Sequence, residues 1–205
     1  RRNNSYESVA EECIAVRERV GLLDLTCFAK YEIEGSDAET FLKRICANHI
    51  PRREGGVALV HMLTELGGIE CESTITRIDE NKYYALSGAI AEIHDYDWLV
   101  QHILPDEKVS VRNVTDEYGV LVLSGPRSRD LLSKLTDADL SNADFPWLKG
   151  KKIYVSGIKT LALRVSYVGE LGWELHIPMQ NVAELYETLM DKGSKFGISN
   201  FGTYA

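Results

Sequence analysis

The feature that most constrains the fold is a pair of alternating segments joined by a very short turn. Apolar and polar residues alternate through residues 69–78, which are rich in threonine and isoleucine. Asp79-Glu80-Asn81 then interrupts the pattern, and a second β-like segment occupies residues 82–87. So short a turn joins antiparallel strands, because a parallel connection needs a crossover of about a dozen residues or more. The sequence therefore predicts a β-hairpin and an antiparallel sheet.

Other segments extend this pattern into a mixed α and β chain. Further strands are predicted at residues 30–35, 57–63, 108–113, 118–123, 153–155, 161–166 and 171–177. Helical spacing of apolar residues predicts helices at residues 6–20, 36–46, 90–103, 125–135 and 181–195. Gly21 is expected to end the first helix, while Ser36 and Asn181 are expected to cap the second and the last. Hairpins outnumber strict strand–helix–strand units, which predicts an α+β fold with mainly antiparallel sheets and flanking helices.

The length of 205 residues suits one large domain or two closely associated subdomains. We expect one domain over residues 1–205, with residues 1–105 and 106–205 as its possible subdomains. The chain starts at Arg1 rather than Met and stops at Ala205 without a charged tail. This is typical of a piece of a longer protein.

Several classes of function are disfavoured by composition. A net charge of −8 without a basic stripe repels nucleic-acid backbones, and no apolar run approaches the roughly 20 residues of a membrane span. The four cysteines lack the close spacing of zinc or redox motifs, and the five histidines are scattered, so no metal site is expected. His61, at the end of an apolar strand, is interpreted as a structural or pocket-lining histidine. The glycine pattern of a dinucleotide-binding turn is missing.

The first candidate site lies on the long predicted strand after Gly67-Gly68. Side chains alternate across a strand, so Glu70, Glu72 and Thr74 share one face. Two carboxylates on one face are typical of a solvated strand edge, and they also suit acid–base or electrostatic chemistry. The residues alone leave both interpretations open.

The second candidate site is a turn in which Glu170 lies between Gly169 and Gly172, near Tyr167 and Trp173. It could be an ordinary hairpin turn with an exposed carboxylate. Alternatively, a carboxylate between aromatic residues suits a flat heteroaromatic ligand, because it accepts two neighbouring N–H groups while the rings cover the faces. Both interpretations remain open on the residues alone.

Several motifs occur here in the order in which a known family has them. They are the glycine pair followed by a strand ending Thr76-Arg77, the turn Leu123-Ser124-Gly125-Pro126, and the run from Tyr167 to Glu174. This chain resembles the aminomethyltransferase of the glycine cleavage system over nearly its whole length. It is closer still to the C-terminal part of dimethylglycine dehydrogenases, in the stretches 6–9, 15–21, 61–64, 166–175 and 200–205.

The resemblance implies a fold and a set of site residues. The family fold has three lobes, of which this chain would contain two and lack the C-terminal one. Glu72 matches the key acid near the folate, although Cys71 stands where the glycine cleavage enzymes have a preceding aspartate. Glu170 matches the glutamate that binds the pterin ring, and Tyr167 matches a residue lining the same pocket. The implied cofactor-binding residues are Glu72, Ser73, Thr74, Tyr167, Gly169 and Glu170, with Glu72 also catalytic.

The resemblance also implies an activity for a larger protein. An upstream domain carrying FAD would oxidise an N-methyl amine to an iminium, and tetrahydrofolate would receive the carbon as methylenetetrahydrofolate. The chain alone is expected to be inactive, because the family's folate-tail arginine lies beyond Ala205. A mitochondrial matrix or bacterial cytoplasmic location suits this chemistry. The alternatives are a free-standing aminomethyltransferase, a sarcosine dehydrogenase relative, and a non-catalytic protein such as the regulatory subunit of pyruvate dehydrogenase phosphatase.

Overall fold

The computed structural model describes residues 4–205. The chain forms two compact units: unit 1 consists of Arg1–Thr26 and Gly119–Ala205, and unit 2 is the intervening segment Cys27–Tyr118. This division differs from the consecutive subdomains 1–105 and 106–205. The reason is that the first strand of unit 1 pairs with strands from the second half of the chain.

The elements follow the predicted alternation. The helices are α1 (Tyr6–Glu18), α2 (Ala38–Ile45), α3 (Glu92–Gln101), α4 (Ser128–Leu132) and α5 (Val182–Gly193). The strands are β1 (Val20–Asp24), β2 (Ala29–Glu34), β3 (Val57–Leu63), β4 (Ile69–Asp79), β5 (Lys82–Ser87), β6 (Ser110–Asn113), β7 (Tyr118–Ser124), β8 (Lys149–Val155), β9 (Ile158–Arg164), β10 (Gly172–Pro178) and β11 (Ile198–Asn200). Short 3-10 helices occupy Ala89–Ala91, Thr115–Glu117, Met179–Asn181 and Ser194–Phe196.

Unit 2 is built on a five-stranded antiparallel sheet in the order β3-β4-β5-β2-β6. The predicted β4–β5 hairpin is confirmed, with a register irregularity between Arg77 and Asp79 beside the turn. Apolar residues of α2 and α3, among them Phe41 and Leu99, pack with the buried sheet residues in one core. The sheet therefore has helices on its apolar face, as the alternating pattern predicts.

Unit 1 is built on a six-stranded sheet in the order β11-β1-β7-β10-β9-β8. β1 pairs antiparallel with β7 and parallel with β11, while β9 pairs antiparallel with β8 and β10. Its core combines strand residues such as Leu123 and Trp173 with Leu131 of α4 and Leu185 of α5. Both units thus confirm an α+β fold with mainly antiparallel sheets and flanking helices.

Several local predictions were wrong at the ends of elements. Residues 20–24 form a strand instead of the helix end, and α2 starts after Asp37 rather than Ser36, with no side-chain cap. The helix predicted from residue 125 starts only at Ser128, because Gly125 has a φ of +120°, which lies outside the helical region. Asn181 does occupy the N-cap position of α5, but its side chain contacts Glu184 instead of capping the backbone.

Within residues 4–205, no helix is long and apolar enough to cross a bilayer.

Candidate functional site

Strand β4 carries the first group of predicted site residues, in unit 2. The side chains of β4 alternate between buried and more exposed positions, as expected: Cys71, Ser73 and Ile75 are buried, whereas Glu72 is exposed. The antiparallel register places His61 of β3 opposite Glu72. His61 Nε2 lies 2.6 Å from Glu72 Oε2, and the Glu72 side chain is 56% exposed. A carboxylate oriented by an imidazole and reachable from solvent is able to meet a ligand.

The other two residues of this group differ in where their side chains lie. Thr74 is partly buried and alternation places it on the same face as Glu72. Ser73 is buried, on the opposite face of the strand. The Ser73 side chain therefore does not share a surface with Glu72 and Thr74.

A hydrogen-bonded cluster that was not predicted from the sequence adjoins Glu72 at the start of β4. His94 of α3 places Nε2 2.9 Å from Glu70 Oε1 and Nδ1 3.0 Å from Asp95 Oδ1. These contacts with Asp95 and Glu70 raise the pKa of His94. Burial, and then the neighbouring Asp95 carboxylate, raise the pKa of the Cys71 thiol. Sequence spacing gave no signal for the cluster, because its members come from a strand and a helix that are distant in the chain.

The second group of predicted site residues lies in unit 1, in the turn before β10. Glu170 Oε1 is 2.7 Å from Arg17 Nη1 of α1, and the Glu170 side chain is 19% exposed. Gly169 has a φ of +83°, which a residue with a side chain adopts only with strain. The carbonyl of Leu171 accepts hydrogen bonds from Gly125 N and Ser128 Oγ, and this anchors the turn to the neighbouring segment. The turn thus holds a carboxylate in a defined place.

Aromatic residues near this turn behave differently from one another. Tyr167 is 99% exposed, so its ring is free to cover a ligand. Trp173 is completely buried and meets the ring of Phe145 edge to face at 6.1 Å. Of the two interpretations left open for this turn, the one in which aromatic residues cover a ligand beside Glu170 therefore does not extend to Trp173. The apolar alternation of Trp173, Leu175 and Ile177 was the signal that this side chain faces the core.

Strand β10 also carries a buried polar pair that was not predicted from the sequence. Glu174 Oε2 lies 3.3 Å from His176 Nε2, and both residues are buried. They alternate with the apolar residues of β10, so they occupy the face of the strand opposite the core. The second glutamate of the Tyr167–Glu174 motif is thus an internal residue of unit 1.

The six predicted site residues divide equally between the two units: Glu72, Ser73 and Thr74 belong to unit 2, and Tyr167, Gly169 and Glu170 to unit 1. Unit 2 also contains a cavity of about 450 Å³. Its lining consists of Arg44, Ile45, Leu63, Thr64, Glu65, Trp98 and His102. The three predicted site residues of unit 2 are not part of that lining.

Comparison with known proteins gives consistent results. A model of the GCVT N-terminal domain matches residues 1–205. Mitochondrial dimethylglycine dehydrogenase of Rattus norvegicus is 41% identical over 206 residues, which cover 100% of this chain and 24% of that protein. The mitochondrial pyruvate dehydrogenase phosphatase regulatory subunit of Mus musculus is 31% identical over 205 residues, covering 98% of this chain and 23% of that protein. The chain therefore spans less than a quarter of either relative.

A solved structure shares the fold. The glycine cleavage system aminomethyltransferase T from Bartonella henselae superposes with a TM-score of 0.82 at 23% identity. The match covers 96% of this chain and 52% of that chain. The architecture of the two units is thus that of an aminomethyltransferase T-type fold.

Proposed function

Because the chain belongs to the GCVT N-terminal domain family, we propose that it is the tetrahydrofolate-binding part of a longer flavoenzyme. That enzyme removes an N-methyl group from an amine of the dimethylglycine type and transfers the carbon to tetrahydrofolate. The observation that supports the proposal best is the carboxylate of Glu170, held in a defined turn three residues after the exposed ring of Tyr167. FAD belongs to the part of the protein outside this chain.

Glu170 suits the polar edge of a pterin. A carboxylate accepts two adjacent N–H groups in a paired geometry, and hydrogen bonds to a charged group are stronger than neutral ones. In the structure this carboxylate contacts Arg17, whose side chain is 78% exposed. Exposed ion pairs are worth only about 0.2–1 kcal/mol, so a ligand that makes two charge-assisted hydrogen bonds can replace this contact. Tyr167 then covers one face of the ring.

Glu72 suits the cationic partner in the reaction. Bound tetrahydrofolate supplies the nucleophilic nitrogen that takes up the one-carbon unit. The iminium delivered by the flavin domain is cationic, and a positioned carboxylate stabilises such a charge. His61 contacts one oxygen of Glu72 at 2.6 Å and thereby orients the carboxylate. Thr74 lies on the same face of β4 and borders this position.

The folate assignment is tested by calorimetric titration of the full-length protein with tetrahydrofolate. Glu170→Gln keeps the shape of the side chain but loses its charge, and a hydrogen bond to a charged group is worth about 1.5–3 kcal/mol. We expect affinity to fall by about 10- to 150-fold. The matched control is Arg17→Gln, which removes only an exposed partner and changes affinity by less than about fivefold. Equal affinities of wild type and Glu170→Gln would remove Glu170 from the site.

The role of Glu72 is tested by separating the two reactions of the full-length protein. Glu72→Gln is expected to lower the formation of methylenetetrahydrofolate and to leave amine oxidation by the flavin domain unchanged. Equal loss of both activities would contradict a role confined to folate chemistry. Comparing dimethylglycine with sarcosine as the amine in the same assay identifies the preferred substrate.

A regulatory protein with the same fold is the second candidate. It is favoured by the 31% identity to the mouse phosphatase regulatory subunit. The two candidates differ in folate binding and amine oxidation by the full-length protein. Absence of both activities would support the regulatory candidate and refute the enzymatic one.

A further inference from the structure

The start of β4 and the start of α3 bring four potential ligand groups together in unit 2. The donor atoms of Cys71, His94 and Asp95 all lie within 4.8 Å of one another. Cys71 and Asp95 are buried, whereas the side chain of His94 is 52% exposed. A buried thiol and a buried carboxylate thus lie behind an imidazole that solvent can reach.

Glu70 gives this cluster an outer carboxylate. Its Oε1 lies 2.9 Å from His94 Nε2, while His94 Nδ1 points to Asp95 at 3.0 Å. Histidines that bind a metal through one ring nitrogen commonly donate the other N–H to a carboxylate, which selects the tautomer and orients the ring. The two nitrogens of His94 already have different partners: Nε2 contacts Glu70, and Nδ1 contacts Asp95.

The donor set also discriminates between cations. Thiolate and imidazole ligands favour Zn²⁺ over Mg²⁺ or Ca²⁺, which take oxygen ligands. Tetrahedral zinc bonds of roughly 2.0–2.3 Å place donor atoms roughly 3.3–3.8 Å apart. The donor atoms of the cluster lie at most 4.8 Å apart, and His94 Nδ1 and Asp95 Oδ1 are already only 3.0 Å apart, so the separations are close to those of a zinc site.

We propose that Cys71 Sγ, His94 Nδ1 and Asp95 form a Zn²⁺ site in unit 2, with Glu70 as the outer carboxylate on His94. Solvent completes the coordination on the exposed side. The cation displaces the thiol proton of Cys71, which leaves to solvent, and it binds the neutral form of His94 whose N–H is on Nε2 and donates to Glu70. The bound ion joins the first residues of β4 to α3 immediately beside Glu72. This site does not depend on the proposed folate chemistry.

Cobalt substitution tests the site directly. The chelator-treated chain is titrated with Co²⁺, and a thiolate-to-cobalt charge-transfer band is expected in the near ultraviolet, reversed by adding Zn²⁺. Cys71→Ser is expected to abolish this band. The matched control is Cys46→Ser, because Cys46 is also a buried cysteine of unit 2 but lies outside the cluster. Cys46→Ser is expected to retain the band.

Two further variants keep the test informative if Cys71→Ser folds poorly. Glu70→Gln leaves the three ligands intact and is expected to weaken Zn²⁺ binding about 10- to 100-fold. His94→Gln, at an exposed position, is expected to remove the rise in Tm that Zn²⁺ produces in the wild type. The proposal is overturned if the wild type shows no charge-transfer band, if Cys71→Ser retains the band, or if Zn²⁺ raises the Tm of His94→Gln as much as that of wild type.

Discussion

The stability of the Glu170 turn should depend on the glycine that starts β10. A Cβ placed on Gly172 would lie 2.7 Å from the carbonyl oxygen of Leu123 and 3.2 Å from Ser124 Oγ. The first atom belongs to the backbone of β7, a strand inside the six-stranded sheet whose Leu123 also pairs with Leu22 of β1. Neither strand can move away alone. We therefore expect Gly172→Ala to destabilise unit 1.

The loss of stability expected for Gly172→Ala follows from the close contact of the added Cβ with the backbone of β7. Adding a methylene-sized group to a well-packed site costs about 1–3 kcal/mol, because neighbouring groups must shift. Two matched substitutions separate this crowding from other glycine effects. Gly169→Ala meets no described atom within 4 Å but requires a φ of +83°, so it should cost about 1–2 kcal/mol through backbone strain. Gly88→Ala has both space and a φ of −63°, so it should be neutral or stabilise by up to about 1 kcal/mol.

Equilibrium urea unfolding at 25 °C, followed by circular dichroism, measures the free energy of unfolding of all three variants. Gly88→Ala is expected to be at least as stable as wild type, whereas Gly169→Ala and Gly172→Ala are both expected to be less stable than wild type. Gly172→Ala with the stability of wild type would refute the argument from crowding. Equal losses in Gly88→Ala and Gly172→Ala would show instead that glycine itself, rather than its surroundings, decides the effect.

Three further predictions concern buried or partly buried residues. Burial by itself would raise the pKa of Glu32, but hydrogen bonds from Arg112 and Lys82 outweigh it and lower the pKa below the ordinary value of 4.5. Wild type should therefore be more stable than Glu32→Gln above about pH 4.5, and this advantage should disappear as the pH falls through the lowered pKa. Urea unfolding over a pH series measures it, and a difference in free energy of unfolding that stays constant with pH would contradict the prediction. Lys30→Met should lower the free energy of unfolding by about 1–3 kcal/mol in the same assay at pH 7. The buried ammonium of Lys30 donates to two backbone carbonyls at 2.8 and 3.1 Å, and methionine has no group that replaces this donor. Trp173→Ala should lose about 3–5 kcal/mol, since the ring is part of the core; a change below about 0.5 kcal/mol would instead indicate a surface ring.

Local sequence patterns were sufficient for much of the fold. The alternation through residues 69–78 and the three-residue turn predicted β4, β5 and their antiparallel pairing, because side-chain direction along a strand depends only on adjacent residues. The same rule put Glu72 and Cys71 on opposite faces of β4, and the structure exposes Glu72 and buries Cys71. Strands β1 and β11 escaped prediction, since each is short and acquires its partners from distant segments.

The candidate site shows which contacts local sequence patterns did not predict. Glu72 and Glu170 were identified through family resemblance, and their site roles stay predictions. Proximity in sequence suggested that Trp173 lies beside Glu170, yet the strand turns this ring into the core. The contact of Glu170 with Arg17 could not be foreseen, because it joins α1 to a turn more than a hundred positions later.

The sequence by itself determined most of the strands and their faces, and it indicated the family, since each depends on the order of neighbouring residues. Only the tertiary structure decided which distant side chains meet. Hairpin pairing put His61 against Glu72, and packing of α3 over the start of β4 brought His94 and Asp95 to Cys71 and Glu70. The physical reason is that a contact between elements is selected by the burial of whole apolar faces, and the polar residues they carry are brought together as a consequence.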